Sequence, residues 1–135
     1  MMKRILMMIM CVVMAISLFG CGQSKEEKYM SLRNEVETEM KAYDKIVLGL
    51  RDLQKNDPYV PSKERFRAQY LPHHEKALPE MKAIQKRLTS KMDEMGKIAK
   101  SDLKLKNDYD KFVVRMSIVN DGVEAESNLI KKYKE

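Results

Sequence analysis

Apolar positions along this chain recur at two kinds of spacing. From Ile5 to Phe19 the residues are apolar without a break except at Ser17. Beyond Lys25 they recur every three, four or seven positions, the period of a helix that buries one face. Tyr29, Val36, Tyr43 and Leu50 form one row, Met40 and Val47 another, and Leu32, Ile46 and Leu53 a third interrupted by Glu39. These rows predict a first helix over about 25–55. Asn56-Asp57-Pro58-Tyr59-Val60-Pro61 then ends it with two prolines.

A second helical segment is predicted over 62–99, with Ser62 as N-cap. Its stripe is Phe66, Tyr70, Ala77, Met81, Ile84, Leu88, Met95 and Ala99. Pro72 and Pro79 fall inside it. Each removes a helical hydrogen bond, at ~3 kcal/mol in a helix interior. The segment is therefore expected to kink near Pro72 and Pro79, or to split into a short helix and a longer one from about Pro79. A third helix is predicted over 102–133, capped by Ser101. Leu105, Phe112 and Val119 share a row, as do Tyr109, Met116, Val123 and Ile130. Both rows hold phase across Asn120-Asp121-Gly122, so that triplet reads as a weakened helix, with a hairpin as the alternative. No stretch alternates like a strand. The fold class is all-α: a small antiparallel three-helix bundle over 25–135. The alternative is a long helical hairpin that dimerises to complete its core.

The first apolar run has a different logic. Lys3 and Arg4 precede it, and it spans about 15 residues, or roughly 22 Å as a helix. That is shorter than a bilayer's ~30 Å hydrocarbon core, so it reads as a signal sequence. It ends in Leu18-Phe19-Gly20-Cys21, followed by the polar run Gly22-Gln23-Ser24-Lys25-Glu26-Glu27. This arrangement resembles the signal peptides of bacterial lipoproteins. The resemblance covers residues 1–21 and implies cleavage after Gly20 and a diacylglyceryl group on Cys21. Leu18 and Gly20 match the family pattern, and Phe19 departs from the usual small or β-branched residue. Residues 21–24 are then the lipidated cysteine and a short tether. The implied location is the cell envelope: the outer face of the cytoplasmic membrane in a one-membrane cell. With two membranes it is the periplasmic face of the outer membrane, because Gly22 stands where an aspartate would retain the protein at the inner one. Two acyl chains anchor stably where one does not.

Charge refines this picture. The chain carries 26 basic and 20 acidic residues. The flanking segments balance internally, so the positive excess falls between Ser62 and Lys100. Lys82, Lys86, Arg87 and Lys91 are the candidate surface-contact residues, toward anionic lipid, an envelope polymer or an acidic partner. Nucleic acid is not an expected partner, since no reader motif is present.

Catalytic chemistry has little to work with. Cys11 leaves with the signal peptide and Cys21 is capped, so no thiol remains. No Gly-x-Ser-x-Gly turn or glycine-rich phosphate loop occurs. The chain reads as a non-enzyme without cofactor. His73-His74-Glu75 is the one imidazole cluster, but adjacent helical residues diverge by about 100° and zinc needs further ligands. Met81, Met92 and Met95 offer soft sulfur, yet they fall at core spacing, where methionine fills gaps. No metal site is expected. Two readings follow. The first is a membrane-anchored interaction, adaptor or inhibitor module with an envelope protein partner, self-association included. The alternative is a small-ligand or metal-binding lipoprotein with its site near His73 and His74.

Overall fold

The computed structural model describes residues 23–57 and 59–135. Cys21, Leu18, Phe19, Gly20 and the rest of the signal segment lie outside the described residues. Among the described residues the structure is all-helical, with three long helices and one short one: α1 (Lys25–Asp52), α2 (Lys63–Gln69), α3 (Leu71–Ala99) and α4 (Leu103–Lys134). None of them is long and apolar enough to cross a membrane.

Each boundary has a local cause. Ser24 caps α1, accepting from the Glu27 amide while the Glu27 carboxylate accepts from the Ser24 amide. That pair is a capping box. Ser62 caps α2 through the Arg65 amide, as its sequence position predicts. The break between α2 and α3 falls at Tyr70, earlier than Pro79. Pro72 has no N–H to give to Ala68, so α2 cannot continue. A new helix starts there instead, with Pro72 in its first turn, where an N–H has no helical partner anyway. Pro79 lies inside α3 on an exposed face, where the carbonyl it leaves unpaired meets water. The cap of α4 is Asp102 rather than Ser101: its carboxylate accepts from the Lys104 and Leu105 amides. Helix α4 runs unbroken through Asn120-Asp121-Gly122.

Helix α3 is the spine, with α1 and α4 packed along it. Arg87 and Lys91 of α3 meet Glu39 and Glu35 of α1, which sets those two helices antiparallel. Gln85 and Asn120 meet at 2.8 Å, and His74 lies beside Glu126, so α3 and α4 are antiparallel as well. Helices α1 and α4 are thus parallel. The main core consists of Tyr29, Leu32, Val36, Met40 and Tyr43 of α1, Met81 to Ala99 on one face of α3, and Leu105 to Val123 of α4. A second cluster at the far end joins Phe66, Tyr70, Leu71 and Ile130, with the Phe66 and Tyr133 rings stacked at 4.0 Å.

Candidate functional site

The seam between α1 and α4 changes character along its length. At the end where α1 begins it is closed. The Tyr29 hydroxyl donates to the Leu105 carbonyl at 3.3 Å and to the Asp108 carboxylate at 3.0 Å. Arg33 Nε donates to the same carboxylate at 3.0 Å. The Phe112 ring lies under two guanidinium groups, Arg33 at 5.1 Å and Arg115 at 5.8 Å. Burial and then the hydrogen bond to Asp108 raise the Tyr29 pKa well above its ordinary value. Burial also pushes the Asp108 carboxyl up, but the Arg33 and Tyr29 hydrogen bonds and the Arg33 charge outweigh it, leaving a net lowering. Asp108 and Asp110 are expected from sequence to be a solvated pair at a helix start. Only Asp110 is exposed; Asp108 is part of this interlock.

Two heptads further along, the seam opens. A cleft of about 970 Å³ lies between residues 44–55 of α1 with its following turn and residues 118–126 of α4. Met81 and His74 of α3 line it from below. Val47, Leu50 and Ile118 contribute apolar wall. Tyr43 repeats the role of Tyr29, its hydroxyl donating to the Val119 carbonyl at 3.3 Å. That hydroxyl rests where a side chain at position 122 would begin, so the close approach requires Gly122. Burial raises the Tyr43 pKa, and the Asp44 and Glu126 charges raise it further, which puts both carboxylates around this phenol.

His74 is buried and faces Glu126, with Nδ1 2.5 Å from Oε1. An ionised carboxylate can only accept, so Nδ1 carries the proton. The imidazole stacks on Phe66 at 5.4 Å, which fixes the plane of the ring. Its Nε2 is buried with no hydrogen-bond partner among the described residues. Such an atom costs about 1–3 kcal/mol. Glu126 is itself only 12 % exposed, and Oε2 has no protein partner among the described residues.

The sequence-derived candidates separate in space. His73 is exposed while His74 is buried, so the two imidazoles do not converge. Among the described residues, no group of three or more histidine, cysteine, aspartate or glutamate side chains is placed to hold a metal ion. The four cations also divide. Arg87 makes a two-pronged bond to Glu39 at 2.8 and 3.0 Å, and Lys91 pairs with Glu35. Lys82 and Lys86 point outward and make no ion pair among the described residues. The predicted basic face is therefore half surface and half a seam between α1 and α3.

Glu126 escapes a reading by motif, as its partner is 52 residues away. Its signal is positional. It falls in the apolar row Val119, Val123, Glu126, Ile130, as His74 falls in Tyr70, His74, Ala77, Met81. A titratable side chain in an apolar helical row is the detectable mark. No protein-family model, curated protein or solved structure matches this chain.

Proposed function

We propose that this protein is a lipid-anchored envelope lipoprotein whose helical domain binds another protein at the end remote from its anchor. The domain is read as a monomeric antiparallel three-helix bundle rather than as a dimerising hairpin, because α1, α3 and α4 bury a shared core within one chain. The observation that carries the docking role is the set of exposed apolar side chains around the cleft mouth. Leu48 is 52 % exposed and Ile118 63 %. Both line the cleft, one from α1 and one from α4, and exposed apolar side chains grouped in this way mark an interaction surface.

The anchor supports this geometry. With the signal cleaved before Cys21, only Gly22 and Gln23 separate the lipidated residue from the Ser24 cap. Flexible segments reach about 5–6 Å × √n, so the start of α1 stays at the membrane. Leu48 lies 23 residues along α1, roughly 35 Å away at 1.5 Å per residue. An upright bundle presents the cleft toward the aqueous space and toward whatever protein occupies it.

A photo-crosslinking residue at Ile118 in intact cells should yield a discrete adduct with an envelope protein, and one at Lys82 should not. Adducts from Lys82 alone would move the contact to the basic face. Phase partitioning tests the anchor separately: the wild type should enter the detergent phase, and Cys21→Ala should not be processed into that form.

A further inference from the structure

We propose that the cleft between α1 and α4 is a binding site for a small apolar molecule bearing a single ammonium group, held by the carboxylate of Glu126. The inference is independent of what Cys21 carries and of which protein meets the cleft mouth. Three observations support it.

The first is size and lining. A volume of about 970 Å³ with Val47, Leu50 and Met81 in its walls suits an apolar body. Small-molecule sites are typically ~300–1,000 Å³, mostly apolar, with a few convergent polar groups. The second is the state of Glu126. Oε1 is occupied by the His74 N–H, so the carboxylate is held in one orientation. Oε2 has no protein partner among the described residues, and Glu126 lines the cleft. A carboxylate oxygen that opens on the cleft with no protein donor favours an N⁺–H donor, because charge-assisted hydrogen bonds are the stronger ones. The third is the unpartnered Nε2 of His74 beside it. Native proteins rarely leave such an atom unsatisfied, and those that do tend to have a use for the site.

The sign of the ligand charge follows from depth. Arg51 and Lys55 also line the cleft, but both are exposed, on long stems that carry their charge to water. Glu126 is fixed beneath them, whereas Asp44 and Asp52 are exposed at the rim like the two cations and offset them. The deep charge selects the ammonium. His74 acts as a positioning residue, since it orients Glu126.

Three rigid probes with one apolar body test this: 1-adamantylammonium, 1-adamantanol and 1-adamantanecarboxylate. Each is titrated into the full chain in mild detergent, against a detergent blank, while the Met81 methyl resonance is followed. The ammonium should bind at least about tenfold more tightly than the carboxylate, with the alcohol between them. Glu126→Gln keeps the shape and an acceptor for His74, and should bring the three affinities within about twofold of one another. Ile118→Trp, at an exposed position that folding does not need, should weaken all three by filling the mouth. Lys82→Gln should change none. The proposal is overturned if the carboxylate binds as well as the ammonium, or if no probe moves Met81. A preference for the ammonium that survives Glu126→Gln would place the site elsewhere and overturn it too.

Discussion

The closed and open ends of the α1–α4 seam are built on one register, and three of the positions at which they differ set the space around the tyrosine. Tyr29 and Tyr43 stand two heptads apart, and each donates to a carbonyl 76 residues further on. Shifting every position of the closed end by two heptads carries Arg33 onto Val47, Asp108 onto Gly122 and Phe112 onto Glu126. At the closed end an ion pair and an aromatic ring fill the space around the tyrosine. At the open end, a shorter side chain, no side chain and a carboxylate leave the cleft. The backbone plan does not determine where a bundle is open. Side-chain volume at a few seam positions does, and here the emptied volume coincides with a buried charge.

The largest effect should separate the two ends directly. Phe112→Ala removes a buried ring and should lower stability by about 3–5 kcal/mol in urea unfolding. Glu126→Ala, at the equivalent place, removes only a partner of His74 and should cost about 1–3 kcal/mol. Equal losses would mean that the cleft end is packed as tightly as the other.

Glycines sharpen the same contrast. Gly122→Ala must displace the buried Tyr43 hydroxyl, and should cost about 1–3 kcal/mol through overpacking. Gly49→Ala meets nothing within 4 Å, and should gain up to about 1 kcal/mol from helix propensity. Thermal melts of the two variants should therefore shift in opposite directions.

Dependence on pH should be milder, and its acid limb should belong to the closed end. The Asp108 pKa lies below its ordinary 3.8 in the folded protein, so on acidification the unfolded chain takes up its proton first. The contribution of Asp108 is thus full above about pH 4 and is lost as pH falls through the lowered folded value. Asp108→Asn should flatten stability against pH in that window. Both ends share the alkaline limb. Tyr29 and Tyr43 titrate above their ordinary 10.0 when folded, so stability should fall as pH rises beyond about 10.

The smallest effect concerns the four cations. Reversing Arg87 and Lys91 to glutamate sets like charges against Glu39 and Glu35, and should lower the melting temperature slightly. Reversing Lys82 and Lys86 should leave it unchanged. Salt should reduce the difference, since these pairs lie near the surface.

The helices were legible because burial is periodic. Tyr29, Val36 and Tyr43 are all core residues, as are Met81, Ile84 and Leu88. The break near 56–61 followed from its prolines. Pro79 misled because the same residue is disruptive or harmless depending on whether its orphaned carbonyl meets protein or water. Ser101 misled because its hydroxyl donates back to the Ile98 carbonyl at 3.3 Å, which leaves the extended residue Asp102, one position on, to cap α4. The cleft was hidden for a different reason. Volume in a seam depends on which helices become neighbours, and α1 and α4 are not consecutive in the chain. His74 drew attention as one of an adjacent histidine pair, whereas the partner that matters is Glu126.

The register between α1 and α4 also has a mechanical consequence. The two tyrosine hydroxyls tie the helices at matched heights, so neither slides along the other without breaking both bonds. The width of the cleft is therefore set locally, by the Tyr43–Val119 bond at its edge, and not by the Arg33–Asp108 pair about 15 Å away along α1 at 1.5 Å per residue.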